Sequence, residues 1–286
     1  MHDIAKETIE KQLNEKIDSI TLLKETSCSF LYHIKAKKEY VLKKSKSQSI
    51  SEEFNNHKKI YECRLREKGN LDFKVPEVYF LADDEKFYVM EYIRGAGNLL
   101  EILLQNKDGA GEVFRRAGEC MNQYHALTTK YLIDDKQSML VHDTIKQLLD
   151  SKAADKVRAF LDSFGEDTYR IIFKDFTLSN IVLDDNNNIY FTDFQKIYYY
   201  APFYYDLARF IDTGKVFALV KKPLFFLLNC GKINSILNSF LDGYNPGLDR
   251  ELLKKMQWLH RAEHIQMKAN RSRRDALILK LIYCII

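Results

Sequence analysis

The chain has 286 residues, of which 46% are hydrophobic and 29% charged, and a formal net charge of +4 at pH 7. That is enough apolar material for one large domain or two small lobes, and the scarcity of Gly (11) and Pro (4) excludes a disordered or linker-rich chain. The charge is uneven: nine Lys or Arg stand against three Asp or Glu over residues 250–286, a net of +6, which leaves 35 against 37, a net of −2, for the first 249. Such a balance predicts a solvated helix face or a surface for an anionic partner.

Five cysteines, Cys28, Cys63, Cys120, Cys230 and Cys284, form no C-x-x-C pair, so reduced thiols and a cytoplasmic setting are expected. The first ten residues carry no apolar signal region, and the longest apolar runs, at 223–228 and 276–286, fall short of the ~20 residues that span a bilayer. No nucleic-acid-binding module is recognisable, so nucleic acid is not an expected partner.

In chain order, Ile4, Ile9, Leu13 and Ile17 sit at helical spacing and predict a short amphipathic helix over 3–18. Strand patterns follow at 19–23, 29–36 and 39–43, with Lys37-Lys38 turning between the last two. A helix over 51–68 has Ser51 to cap it and Gly69-Asn70 to end it. Strands at 77–82 and 87–92 flank the turn Asp83-Asp84-Glu85. Beyond Arg94-Gly95-Ala96-Gly97 helical periodicity takes over, at 99–105, 112–127, 141–149 and 152–164. A β island interrupts at 171–173, 181–183 and 189–192, and from Asp206 the pattern is helical to the end. The simplest architecture is α+β: a small β-rich lobe over 1–92, a hinge at 93–97 and a larger helical lobe over 98–286.

The chemistry concentrates in IIFKDFTLSNIVLDDNNNIYFTD, residues 171–193. Asp175 and Asn180, five apart, bracket a loop between two apolar strands, and Asp193 ends the hairpin that follows. A hairpin returns its far end to its start, so the three can converge at one edge. Phosphoryl transfer needs such an edge: a carboxylate to take the proton of the acceptor hydroxyl, and an amide oxygen and second carboxylate to hold Mg²⁺ against phosphates. A strand lysine for the α/β-phosphates is available in Lys43, which shares a strand face with Val41. Glu53 on the next helix is its natural partner, with Lys44 and Glu52 as adjacent rivals. The strand over 87–93 runs into Gly95 as a hinge, where Glu91 and Ile93 would offer backbone groups to adenine. Thr26-Ser27-Cys28-Ser29-Phe30 falls where a phosphate-covering loop belongs, and Ser27 and Ser29 are its candidate donors although the loop has no glycine.

Together these residues resemble the aminoglycoside phosphotransferase and choline kinase-like superfamily, over roughly residues 21–210. That superfamily carries a His-Gly-Asp-x-x-x-x-Asn loop, an Ile-Asp-Phe or Ile-Asp-Trp segment and an Asp-Leu-Ala helix start. Here stand Phe173-Lys174-Asp175 through Asn180, then Thr192-Asp193-Phe194, then Asp206-Leu207-Ala208. Tyr124-His125-Ala126-Leu127 is similar to the superfamily's Leu-His segment, and Asp193-Phe194-Gln195 also resembles kinases of cell-envelope sugars, including those of the lipopolysaccharide core. The resemblance implies a protein-kinase-like two-lobed fold using ATP and Mg²⁺. Asp175 would be the base, Asn180 and Asp193 the metal ligands, and Lys43 the phosphate contact oriented by Glu53. Asp206 would brace the catalytic loop, and His125 would be a packed structural residue.

Two departures, Phe173 for the His and Lys174 for the Gly, keep a non-catalytic ATP-binding protein of the same fold as the alternative. A protein acceptor is disfavoured by the lack of His-Arg-Asp and Ala-Pro-Glu and by the short stretch from Asp193 to Asp206. The expected acceptor is a small molecule or sugar. Lys268, Arg271, Arg273 and Arg274 would repel a polycation, so an anionic, neutral or lipid-linked acceptor suits them, as does peripheral contact with an anionic membrane. The aromatic run over 198–205 is suited either to stacking on a sugar or to packing in the core.

Overall fold

A computed structural model describes residues 2–26, 28–46, 50–84, 86–95, 97–105, 108–133, 151–173, 176–194, 199–269 and 272–286. The helix expected over 141–149 lies outside them. Helix α1 (His2–Leu13) leads into β1 (Ser19–Glu25), β2 (Ser29–Lys35) and β3 (Glu39–Ser45). Helix α2 (Ser51–Arg66), β4 (Phe73–Lys74), β5 (Val78–Ala82) and β6 (Phe87–Glu91) follow. Five of the strands make one antiparallel sheet in the order β1-β2-β3-β6-β5.

Alternation along β3 gives this sheet its two faces. Tyr40 and Leu42 join Ile34, Phe87 and Val89 on one face, where Ile9 of α1 and Ile17 cover them. Val41 and Lys43 turn to the other, part of which Ile50 and Phe54 close around Tyr88. Helix α1 is shorter than its periodicity suggests. Asn14 takes a left-handed φ of 51°, a conformation that ends helices, and the Glu10 carboxylate accepts the Ile17 N–H at 2.8 Å beyond it. Ser51 does not cap α2: Ile50 occupies the cap position without a side-chain bond, and the Ser51 hydroxyl turns to Asp83. Glu52 and Glu53 in the first turn complement the helix dipole instead.

The second lobe begins with β7 (Gly97–Asn98), α3 (Leu99–Gln105) and α4 (Ala110–Leu132). It continues through α5 (Ser151–Asp162), β8 (Tyr169–Ile172), β9 (Ile181–Leu183), β10 (Ile189–Phe191) and β11 (Tyr199–Pro202). Four helices end it: α6 (Tyr204–Lys221), α7 (Pro223–Tyr244), α8 (Arg250–Ala269) and α9 (Arg273–Ile285). The expected β9–β10 hairpin forms, inside a four-stranded sheet of order β4-β10-β9-β7 in which β4 runs parallel to β10. The strand expected over 171–173 is not part of it. It pairs as β8 with β11, which is drawn from the tyrosine-rich run. The rest of that run settles the choice between stacking and core in favour of the core where it is described: Phe203, Tyr204 and Tyr205 are all buried.

The core of this lobe is aromatic. Phe210 stacks on Phe240 at 3.8 Å, and Phe176 stacks on Phe210 at 5.3 Å. Helices α4 and α7 approach closely through two glycines. A Cβ on Gly118 would lie 2.0 Å from the Phe240 carbonyl oxygen, and one on Gly243 would lie 1.9 Å from that of Arg115. Helix α7 is 22 residues long and by length and composition apolar enough to cross a bilayer, more than its 223–228 segment alone suggested. It kinks at Asn229, and its second half, from Ile233 to Tyr244, is built into the core.

The glycine pair predicts that Gly118→Ala and Gly243→Ala each destabilise by about 2 kcal/mol or more, because the obstacle is backbone that cannot swing away. Gly231→Ala, with nothing within 4 Å of the new methyl, should stabilise by about 0.5 kcal/mol. Urea denaturation of the three variants measures both signs.

A second prediction concerns His57, fully buried on α2, whose Nε2 donates to the Pro76 carbonyl at 2.8 Å. Burial, against the pull of that bond, lowers its pKa from 6.5 to about 4. Below pH 6.5 the unfolded chain therefore takes up a proton that the native chain refuses. The stabilisation from this residue is complete above pH 6.5 and is lost as pH falls to 4, up to about 3 kcal/mol. His57→Gln should flatten the stability–pH curve over that window; an unchanged slope would assign the acid sensitivity elsewhere.

Candidate active site

Lys43 lies at the centre of the cleft face of β3. Its Nζ donates to Glu53 Oε1 at 2.5 Å and to Asp193 Oδ1 at 2.9 Å. The alternatives close here: Lys44 turns to the opposite face of the strand, and Glu52 is exposed. Lys43 and Glu53 are each 6% exposed, so neither charge has much water. Tyr88 stands directly opposite Lys43 in the β3–β6 register and donates its hydroxyl to Glu53 Oε1 at 2.9 Å. Burial raises the Tyr88 pKa far above the ordinary value, so it remains a donor.

Burial works to lower the pKa of Lys43, but the Asp193 and Glu53 carboxylates outweigh it and raise it. Glu53 is raised, chiefly by burial, with the Asp193 charge adding and Lys43 opposing. One cation among two carboxylates leaves the cluster one negative charge in surplus, the condition under which a further cation is drawn in.

Asp193 follows β10 with φ 68°, a left-handed conformation that is strained for a residue with a Cβ. Its neighbour Phe194 anchors it. The Phe194 carbonyl accepts Asn56 Nδ2 at 3.2 Å, and its ring lies 4.8 Å from that of His57. Helix α2 thus supplies Glu53 to one side of Lys43 and grips the backbone beyond Asp193 on the other. Asn180 ends a single 3₁₀ turn, Leu178–Asn180, just before β9. Its carbonyl accepts both the N–H and the hydroxyl of Thr192, at 3.0 and 3.1 Å, which seats Asn180 beside the residue preceding Asp193. The turn that permits this is tied by Asp184, whose carboxylate accepts the N–H groups of Asn186 and Asn188 at 2.9 and 2.8 Å.

Asp175 and Lys174 lie outside the described residues. Their flanks are fixed: Phe173 and Phe176 are buried, and the Phe176 N–H donates to the Phe173 carbonyl at 2.8 Å. The Phe173 N–H donates to Asp206 Oδ2 at 2.6 Å, the brace expected of that residue at its helix start. Asp206 is fully buried, and burial raises its pKa against the pull of bonds from His125 and Phe173. His125 Nε2 donates to the same oxygen at 3.1 Å, and the Tyr244 hydroxyl donates to Nδ1 at 2.9 Å. His125 is a support behind the loop, fully buried.

The other residues expected to meet the nucleotide fare differently. Ser27 is outside the described residues. The N–H of Ser29, expected to meet phosphate, is already taken by Thr26 Oγ1 at 2.9 Å. That hydroxyl also accepts the Cys28 N–H at 3.3 Å and bonds the Ser29 hydroxyl at 3.1 Å, and Ser29 is buried, so both of the donors expected of Ser29 are engaged inside the turn. Thr26, not the serines, organises the turn; a Thr three residues before a Ser is a weak signal for this. The Glu91 N–H bonds the carbonyl of Glu77, the residue before β5, at 2.8 Å, and Ile93 lies half-buried ahead of the turn at Arg94-Gly95. Asp212 was not legible from sequence. Fully buried on α6, it accepts two bonds from Arg261, at 3.0 and 2.8 Å, and one from Gln257 at 3.0 Å, pinning α6 to α8. Burial raises its pKa, but bonds from His260 and Arg261 prevail and lower it.

Several solved structures share this fold. An ADP-bound aminoglycoside phosphotransferase, APH(2″)-Ib, is 15% identical, with a TM-score of 0.60 over 99% of this chain and 97% of its own. The GDP and kanamycin complex of APH(2″)-IIIa is 14% identical, with a TM-score of 0.61 over 98% of each chain. Macrolide 2′-phosphotransferase MphH from Brachybacterium faecium is 10% identical, with a TM-score of 0.60 over 97% and 96%. No curated protein matches the chain in sequence. The family model of the phosphotransferase enzyme family does match, over residues 27–219. That span is more than half of the chain and contains Lys43, Glu53, Asn180 and Asp193, so the protein belongs to the phosphotransferase enzyme family, an α+β transferase with a kinase-like two-lobed fold.

Proposed function

We propose that the protein transfers the γ-phosphate of ATP to a hydroxyl group of a small molecule or sugar. The observation that carries this is Lys43 bridging Glu53 and Asp193 from within the cleft, a link between groups 150 residues apart whose surplus negative charge suits a cation and a polyphosphate. In this reading residues 1–92 hold the nucleotide, 93–97 are the hinge, and 98–286 carry the catalytic loop and acceptor site. Lys43 keeps its bond to Glu53 and turns its remaining donors to the α- and β-phosphates.

Asn180 and Asp193 offer an amide oxygen and a carboxylate, hard donors that fit Mg²⁺. The bound ion would neutralise charge on the phosphate oxygens. Asp175 accepts the proton of the attacking hydroxyl. Asp206, held by His125, fixes the loop's entry through the Phe173 N–H.

The acceptor we favour is a neutral or anionic sugar, with a lipid-linked sugar of the cell envelope as the finer alternative. If they line the acceptor cleft, the nine basic residues against three acidic over 250–286 would repel a polycation. Among the named basic residues Arg273 and Arg274 are exposed and Lys268 half-buried, and Arg271 lies outside the described residues. The need for ATP fits a cytoplasmic setting.

Three measurements test this. Asp175→Asn should keep nucleotide binding and cut turnover by at least about 10²-fold; near-normal turnover would remove it as the base. Asp193→Ala should abolish Mg²⁺-dependent nucleotide binding, and retention at unchanged Mg²⁺ demand would leave Asp193 as a mere strand end. A phosphorylation screen over sugars, amino alcohols and glycolipid precursors identifies the acceptor; binding of ATP with no turnover on any of them would favour a non-catalytic protein.

A further inference from the structure

Large apolar side chains left in water are concentrated in one region. At the corner where α6 meets α7, Val220, Leu224 and Leu228 are 59%, 76% and 83% exposed. On α9, Leu277, Leu281 and Ile285 are 60%, 60% and 56% exposed, although that helix already buries Ala276 and Leu279 on its inner side. A helix apolar on both sides needs an apolar surrounding on both.

The two segments are joined through α6: Lys215 Nζ donates to the Ile286 carbonyl at 3.4 Å, and Val220 and the corner lie further along the same helix. The core gives no outlet for the corner. Helix α7 is fixed from Ile233 onward against α4, whereas before the kink at Asn229 only Phe226 is buried and Leu224, Leu227 and Leu228 stay exposed.

The charge around this face has one sign. Residues 213–241 hold four Lys and no Asp or Glu, and α9 adds Arg273, Arg274 and Lys280 against Asp275, so seven basic groups face one acidic. All of these but Lys215 are exposed.

We infer that the α6–α7 corner and the outer side of α9 form a docking surface for an anionic lipid layer. The leucines and isoleucines enter the boundary between headgroups and acyl chains, and the lysines and arginines meet lipid phosphates. A second copy of the chain is the poorer occupant, because a two-fold contact would set this basic rim against itself. Docking does not depend on the phosphotransfer reading; together the two would bring a lipid-linked acceptor within reach of the cleft.

The test is co-sedimentation of the full chain, without nucleotide, with phosphatidylcholine vesicles with and without phosphatidylglycerol. The wild type should partition onto the anionic vesicles. Leu224→Ser with Leu228→Ser, both too exposed to matter to folding, should lower partitioning at least about tenfold. Lys221→Ala and Lys280→Ala should each lower it about fivefold, on anionic vesicles only. Leu65→Ser, on an equally exposed leucine of α2, should change nothing. The proposal is overturned if the wild type stays in the supernatant with both vesicle types, if the double leucine variant binds like wild type, or if sedimentation equilibrium finds a dimer that this variant dissolves. Because nucleotide is absent, failure here leaves the phosphotransfer reading standing, and failure of that reading leaves this one.

Discussion

A buried ammonium cannot be left without partners, and the arrangement of the two lobes follows from satisfying one. Lys43 is 6% exposed, where an unpaired charge would cost several kcal/mol. Its nearest neighbours on β3, Leu42 and Lys44 beside it and Val41 and Ser45 on its own face, carry no negative charge, so its compensation has to come from other elements. Helix α2 provides Glu53, and the chain 150 residues on provides Asp193. Tyr88 from the adjoining strand holds Glu53 in place, while Asn56 and the ring of His57 hold the segment after Asp193. The orientation of α2 and the strained backbone at Asp193 are both answers to one demand. Removing a single partner from such a cluster is far more damaging than its net contribution to folding implies, since the remaining charge stays buried.

A second polar nucleus, smaller and fully buried, does for the segment leaving β8 what Lys43 does for the cleft. Asp206 gathers the Phe173 N–H and His125, and Tyr244 completes the chain of donors. Around it the packing is aromatic: the Phe173 ring lies 5.9 Å from Tyr124, 5.9 Å from Phe176 and 5.2 Å from Phe194. Where the superfamily pattern has a histidine, this chain has a side chain with no hydrogen bond to offer. The ring is absorbed by the core, and the backbone N–H, which any residue but proline would offer here, ties this position to Asp206.

The parts legible in the sequence were those set by local period and fixed spacing. The alternation through Tyr40, Val41, Leu42 and Lys43 located a strand and told which face the lysine takes. The hairpin that follows Asn180 and ends at Asp193 told that these two would be brought side by side at one edge. What escaped were features decided at long range or by a single atom. β11 could not be separated from a stacking platform, because Tyr199 and Tyr200 suit either, and only the pairing with β8 decides it. Ser51 had the right side chain and position for a cap, but Asp83 from a distant turn won its hydroxyl. The contact of Asp212 with Arg261 spans 49 residues and leaves no mark in either neighbourhood.

The clasp between Gly118 and Gly243 bears on how the protein is made as well as on how it stands. The apolar side of α4, with Phe114, Ala117 and Met121, is closed by residues about 120 positions further along the chain. A ribosome adds ~5–20 residues each second, so that side stays uncovered for roughly 6–25 s after it emerges. The five-stranded sheet, by contrast, has all its strands once Glu91 is out. The nascent chain thus spends its longest vulnerable interval with a finished first lobe and a bare helix, the stage at which chaperones or premature association would act on it.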